Sequence, residues 1–169
     1  KKYKLVIIGV TGDTHNNLKN IKKICSIFNE NRTDLVFHTG DISLPKSLLA
    51  FKDLNCPLKV VLGNNDVGEK KDLLEASKEF DCEVFEEPLA IKIDERIFTI
   101  LHHPDLINDE LITESDVILH GHTHRYRFEE INNTIIFNPG ECAGFLEGKN
   151  QIGLIDSKTE YLVPKIFNF

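Results

Sequence analysis

Two histidines spaced two residues apart, His122 and His124, follow a short apolar run and a glycine in Val117-Ile118-Leu119-His120-Gly121-His122-Thr123-His124. On an extended backbone residues i and i+2 point to the same side, whereas on a helix they diverge by more than a right angle. The spacing therefore predicts a strand end that projects both imidazoles together. Earlier segments repeat the pattern of apolar run, glycine or loop, then a ligand-type residue: Leu5 to Asp13 and His15, Leu35 to Asp41, and Leu58 to Asn64. A further run, Ile97 to Leu101, ends at His102 without a glycine. Strand ends of this kind predict one shared site. Asp13, His15, Asp41, Asn64, His102, His122 and His124 are seven oxygen and nitrogen donors, more than the roughly four to six, water included, that one first-row ion takes. The number predicts two ions. A pair about 3.5 to 4 Å apart needs a bridging group, and Asp41, at a strand end after a glycine, is the natural bridge. Two divalent ions bring four positive charges; Asp13 and Asp41 remove two and a bridging hydroxide a third, so one is left to attract a phosphate. Such ions lower the pKa of bound water toward about 7, which makes hydroxide available at neutral pH. Imidazole-rich donors suit two divalent transition-metal ions, Mn first, with Ni, Co, Fe or Zn as alternatives and Mg weaker.

These donors need elements that bring them together. Leu5 to Val10 reads as a strand buried on both faces. A helix follows over about Leu18 to Glu30, where Leu18, Ile21, Cys25 and Phe28 recur at steps of three and four, and Ile24 and Ile27 widen the stripe. Leu35 to His38 is the next strand, followed by a short helix near Lys46 to Leu54 with Pro45 at its start. Leu58 to Leu62 is the third strand, and Lys70 to Phe80 a third helix with Leu73, Leu74, Ser77 and Phe80 on one face. This alternation predicts a largely parallel sheet. After Glu86-Glu87-Pro88, Leu89–Ile93 and Ile97–Leu101 form a hairpin, and Asp105 to Glu114 holds at most a short helix. Asp116–His120 is a buried strand, Tyr126–Ile131 pairs with Thr134–Phe137 across Asn132-Asn133, and Ile152–Asp156 pairs with Tyr161–Phe167 across Ser157-Lys158-Thr159. Pro164 places the last strand at an edge. The fold class predicted is α/β, two sheets packed together with helices outside, in a single domain over residues 1–169.

At 169 residues with 41% hydrophobic content the chain can bury a substantial core. Its apolar runs are far shorter than the roughly 20 residues that cross a bilayer, and no signal-peptide pattern opens it. A cytoplasmic protein with no membrane partner is expected, and a homo-oligomer is compatible with the sequence. Cys25, Cys56, Cys82 and Cys142 are widely spaced with no C-x-x-C pair and read as buried free thiols. A net charge of −7 argues against a basic face that grips long nucleic acid.

Gly12-Asp13-Thr14-His15, Gly40-Asp41, Gly63-Asn64-Asn65-Asp66, the histidine at His102 and Gly121-His122-Thr123-His124, in that order, resemble the five motif blocks of the calcineurin-like metallophosphoesterases. Asn138-Pro139-Gly140 resembles a further block of the small single-domain members, with Glu141 in place of a serine. The likeness spans roughly Lys4 to Gly140. It implies a four-layer sandwich of two mixed β-sheets flanked by helices, without a cap domain. It also implies a binuclear metal-dependent phosphoesterase of the small phosphodiesterase type, acting on a small phosphoester by attack of a metal-bridging hydroxide. By motif, Asp13, His15 and His124 would bind one ion and Asn64, His102 and His122 the other, with Asp41 bridging; Asp41, Asn64, His102 and His122 carry the catalytic assignment. His103 is the fallback for His102, because some phosphodiesterases of the family show the His102-His103-Pro104 pattern. Asn65 departs from the family. It stands where many phosphatases use a histidine as general acid, and an amide cannot donate a proton at neutral pH, a loss worth roughly 10² to 10⁴ in rate.

Several of these residues also have ordinary explanations. Asp13 and Asp41 alone would read as turn residues or helix caps. His38 reads as a hydrogen-bonding residue beside the site, and His120 as a packed core histidine. Asn65 and Arg125 are candidate substrate contacts, Arg125 being as readily an ordinary solvated charge. The sequence leaves open a phosphomonoesterase on small phosphates and a non-catalytic interaction scaffold of the kind the small retromer subunit represents. A DNA exonuclease of the same superfamily would resemble a longer chain with added segments.

Overall fold

The computed structural model describes residues 7–146 and 148–169; Leu5 and Val6 of the expected first strand lie outside them. Strand β1 (Ile7–Thr11) leads into helix α1 (Leu18–Glu30). Its N-cap Asn17 accepts the Asn20 N–H through its side chain, supplying an acceptor for one of the free N–H groups of the first turn. The inner stripe of α1 is Ile21, Ile24, Cys25, Ile27 and Phe28, and Phe28 lies against Gly9, where a Cβ would come within 2.7 Å of its ring. Leu18 of the expected stripe is exposed.

Strands β2 (Leu35–His38), β3 (Leu58–Val61) and β4 (Cys82–Phe85) follow in parallel. Helix α2 (Pro45–Leu49) has its proline in the first turn and passes into a 3-10 turn over Ala50–Asp53. Helix α3 (Lys70–Ser77) is shorter than its periodicity suggests. It buries Leu73, Ala76 and Ser77, while Leu74 turns outward. Strand β4 was not anticipated, because Cys82-Glu83-Val84-Phe85 is too short and too polar to stand out as a strand.

The second sheet begins with the hairpin β5 (Leu89–Ile93) and β6 (Arg96–Ile100). Helix α4 (Asp109–Glu114) then leads to β7 (Val117–Leu119), and β8 (Arg127–Ile131) pairs with β9 (Thr134–Asn138). Strands β10 (Gln151–Asp156) and β11 (Lys165–Asn168) return to the first sheet. No tight hairpin forms across Ser157-Lys158-Thr159. Gln151 pairs with Asn168 and Leu154 with Lys165, which leaves residues 157–164 as a loop. Part of that loop is held by Arg96, whose guanidinium donates to the carbonyls of Ser157, Thr159 and Glu160.

The strand order is β11-β10-β1-β2-β3-β4 in one sheet and β5-β6-β7-β9-β8 in the other, and both are mixed. Alternation along the strands sorts the core into layers. Ile8, Val10, Leu35, Phe37 and Val61 of the first sheet meet Phe98, Ile100, Val117, Leu119 and Phe137 of the second. Val36, Leu58 and Val60 face the other way onto α1 to α3, and Ile118 and Ile136 pack on the α4 side. The result is four layers: helices, sheet, sheet, helix. Among the described residues no helix is long and apolar enough to cross a membrane. All four cysteines are free, with Cys25 and Cys142 buried but Cys56 and Cys82 half-buried, so the expectation of buried thiols holds for two of them.

Candidate metal centre

The predicted donors all lie just past the C-terminal ends of strands that run parallel to a neighbour: Asp13 and His15 after β1, Asp41 after β2, Asn64 after β3, His102 after β6, and His122 and His124 after β7. These are the ends at which open α/β sheets bind their ligands. Five donors have left-handed backbones: Asp13 (φ 49°), His15 (φ 46°), Asp41 (φ 59°), His122 (φ 71°) and His124 (φ 57°). Non-glycine residues rarely adopt this region, at a cost on the order of 1 kcal/mol each or more. The strand geometry expected for His122 and His124 is therefore corrected, since β7 stops at Leu119 and both histidines belong to a coiled turn. The turn separates the two rings. His122 Nδ1 lies 3.2 Å from both Asn64 Oδ1 and His102 Nε2, whereas His124 Nε2 lies 3.8 Å from Asp13 Oδ1 and its ring stacks on His15 at 5.5 Å.

The donors gather in overlapping groups. Ligand atoms of Asp13, His15 and His124 lie within 4.8 Å of one another, as do those of His102, His103 and His122, and those of Asp13, Asp41 and His102. Asp41 Oδ2 is 3.8 Å from His15 Nε2 and 3.4 Å from His102 Nε2, so its carboxylate stands between the two sides. His15 Nε2 and His124 Nδ1 are buried without a hydrogen-bond partner, a costly condition that an electrophile would relieve. His102 Nδ1 lies 2.9 Å from the carbonyl of Thr39 and, as donor to it, leaves a lone pair on Nε2. That lone pair faces Asn64 Oδ1 at 3.0 Å and Asp41 Oδ2, acceptors that need a cation or a proton between them. The residues present thus fit divalent ions on both sides. His103 is committed elsewhere, with Nδ1 2.5 Å from Glu87 Oε1, while Glu87 Oε2 accepts the backbone N–H groups of His102 and His103.

Several supporting residues escaped the sequence reading. Asp66, fully buried, accepts four backbone N–H groups: those of Asp41 and Gly63 on Oδ2, at 2.8 Å each, and those of Ile42 and Ser43 on Oδ1. It fastens the β3 turn to the β2 turn. Its presence in Gly63-Asn64-Asn65-Asp66 was visible, but its burial was not. Gly63 lies so close to Asp41 that a Cβ would come within 2.3 Å of Oδ1. His38 plays the supporting part expected of it. Its Nδ1 accepts the Gly40 N–H at 3.1 Å, so Nε2 donates to Thr14 Oγ1 at 2.9 Å, tying the turn before Asp41 to the one between Asp13 and His15. Asn65 grips the bridging carboxylate, its backbone N–H donating to Asp41 Oδ1 and its side-chain amide to Oδ2. Arg125 is exposed, and among the described residues nothing ties its guanidinium to the cluster.

Burial sets the protonation of the metal-free site. It pushes Asp13 up to about 7, helped by the Asp41 charge and opposed by His102. It also acts to raise Asp41, but hydrogen bonds from His102 and Asn65 outweigh it and hold Asp41 below the usual carboxylate range. His102 is the mirror case. Burial lowers it, and the hydrogen bond to Asp41 overcomes that and raises it. Burial lowers His122 and His124 and takes His38 down to about 3. A proton shared around His102 and Asp41 therefore occupies the position a cation would take.

The calcineurin-like phosphoesterase superfamily domain profile matches residues 6–160 of this chain. A phosphodiesterase from Methanocaldococcus jannaschii is 37% identical over 159 residues, covering 91% of this chain and 95% of that protein. The solved structure of a protein described as a novel archaeal phosphodiesterase superposes with a TM-score of 0.85 at 33% identity, covering 95% of this chain and 99% of that one. Vps29 of Chaetomium thermophilum shares the fold alone, with a TM-score of 0.68 at 16% identity over 99% of this chain and 98% of its own. With three overlapping donor groups at the strand ends and a profile match over most of its length, the chain belongs to the calcineurin-like phosphoesterase superfamily.

Proposed function

We propose that this protein is a binuclear metal-dependent phosphodiesterase that hydrolyses a small phosphodiester. The observation that carries the reading is the Asp41 carboxylate standing between two converging sets of nitrogen and oxygen donors. Asp13, His15 and His124 would hold one ion, Asn64, His102 and His122 the other, and Asp41 would bridge. Bound there, an ion pair supplies hydroxide at neutral pH and positive charge for the nonbridging phosphate oxygens. The protein's own part is to hold the donors rigid: Thr39 fixes the His102 tautomer, and Asn65 and Asp66 fix Asp41 and its turn. With an amide at Asn65, that position offers no acid in place of the family histidine. The leaving alcohol would then take its proton from solvent or a metal-bound water, which favours diesters with good leaving groups. Similarity to a phosphodiesterase in sequence and to the solved structure of an archaeal phosphodiesterase supports the diesterase choice. Manganese is our first choice of metal, on the chemistry of the donor set. The profile match and the core shared by both sheets support one uncapped domain. The free cysteines fit a reducing cytoplasm.

The test is hydrolysis of bis-p-nitrophenyl phosphate beside p-nitrophenyl phosphate, on chelator-stripped protein reloaded with Mn, Ni, Co, Zn or Mg. Metal-dependent turnover that favours the diester is expected. Preference for the monoester, or silence from folded protein that carries two ions, would sink the reading.

A further inference from the structure

Beside the donors of Asp13, His15 and His124 stands a ring that the proposed metal chemistry does not use. Phe145 is 71% exposed, yet it is not a loose surface residue. Its ring stacks on His124 at 5.3 Å between centroids with 19° between planes, and lies 6.1 Å from His15. One face therefore covers a candidate ligand, and the other is open to solvent.

The loop that presents Phe145 is anchored. The Phe145 N–H donates to the carboxylate of Glu141, itself buried. The Asn20 side chain donates to the Cys142 carbonyl at 2.9 Å and the Asn17 side chain to the Ala143 carbonyl at 3.0 Å, so the start of α1 holds the segment from below. Gly144 takes φ +81° where a Cβ would come within 2.4 Å of Asn17 Nδ2, which fits the backbone closely to that anchor. Glu141 occupies the position where the resembling family motif has serine. Here its longer side chain reaches the Phe145 N–H. An exposed phenyl ring burying little apolar surface adds little stability. A fixed ring with a free face, parallel to a ligand imidazole, is a stacking platform.

We infer that Phe145 is a specificity-determining residue that stacks on a flat aromatic group carried by one arm of the phosphoester, of the aryl or nucleoside kind. The inference rests on the site binding a phosphoester at its ions. With the phosphate held there, the arm on the His15 and His124 side meets the open face of Phe145. Base-aromatic stacking of this sort changes affinity by about 5- to 150-fold when the ring is removed.

The test is calorimetric titration of manganese-loaded protein with phenyl phosphate, thymidine 5′-monophosphate and ethyl phosphate, alongside hydrolysis of bis-p-nitrophenyl phosphate. The wild type is expected to prefer the aromatic monoesters. In Phe145→Ala the ratio of phenyl to ethyl phosphate affinity falls by about 5- to 150-fold, and Phe145→Trp restores it. A stronger effect on phenyl phosphate assigns an aryl arm; one on the thymidine ester assigns a nucleoside arm. If aromatic and ethyl probes weaken together, Phe145 merely shields the ligands, and the inference is overturned, as it is if none changes. Turnover without discrimination by Phe145 defeats the inference alone, whereas discrimination without diester turnover defeats the diesterase reading alone.

Discussion

Asn65 shows how a substitution at one position does two things. It removes an acid, and it adds an amide that donates to Asp41 Oδ2 at 2.9 Å. Asn65→His should therefore restore a proton donor while loosening the grip on the bridge. The ratio of monoester to diester turnover is expected to rise about 10-fold or more, with diester turnover itself reduced. An unchanged ratio in a variant that still binds two ions would mean that position 65 does not face the leaving group. The proton around His102 gives a second prediction. An ion entering between His102 Nε2, Asn64 Oδ1 and Asp41 must displace that proton, and below about pH 7 it must also displace the one on Asp13. Calorimetry at about pH 6 in two buffers of different ionisation enthalpy should register release of about one to two protons per protein on metal binding, falling toward zero well above pH 7. A buffer-independent heat would contradict the shared-proton picture.

The strand-end turns act as pairs. Asp66 accepts N–H groups from both the β2 and β3 turns, so the loop that offers Asn64 also fixes Asp41. Asp66→Asn would oppose an amide NH₂ to at least one pair of those donors. We expect a loss of about 1–3 kcal/mol in denaturant unfolding and of about 10- to 100-fold in metal affinity. Stability lost with metal affinity intact would show that Asp66 braces the fold alone. This pairing explains what was legible. Apolar runs ending in Gly-Asp, Gly-Asn and Gly-His announced the strands and the donors, because burial writes continuous hydrophobic stretches and ligands must be Asp, His or Asn. Glu87 and Asp66 were not legible, since nothing local distinguishes a buried carboxylate receiving N–H groups from a solvated one. The left-handed turn at His122 and His124 was also hidden, because a period-two spacing suits an extended backbone and a coiled one alike. Strand β4 is held by its pairing with β3, a tertiary effect on a weak local signal.

For the molecule as a whole, the centre joins two sheets: Asp13, His15, Asp41 and Asn64 come from the first, and His102, His122 and His124 from the second. Ions bound there would hold the sandwich closed at one end. At 100 times the dissociation constant they should raise the thermal midpoint by about 5–10 °C. The pH dependence should reverse with metal. In the metal-free protein Asp13 is raised to about 7, so the folded state holds a proton that the unfolded chain releases near pH 4, and the stability this group contributes falls as pH climbs between those values. His102, raised above its ordinary value, adds stability at low pH that is lost as pH rises further. Asp41, depressed, acts oppositely but only at more acid pH. Below about pH 6.5 His38, taken down to about 3, His120, taken down to about 4, and the lowered His122 and His124 act the other way, because the unfolded chain protonates them and the folded one does not. Thermal melts with chelator should thus drop only from about pH 7 to about pH 8, while melts with metal hold or rise. Parallel slopes in the two conditions would refute the linkage. The left-handed donors have a consequence for descent. Five side chains sit on backbones that glycine would occupy at less cost, and most of the core between the sheets is apolar residues that ligate nothing. A lineage released from selection for hydrolysis could lose its ligands one by one, several losses making the fold easier to keep. At these five positions stability and ligation therefore pull in opposite directions, since glycine would relax the backbone and remove the donor together.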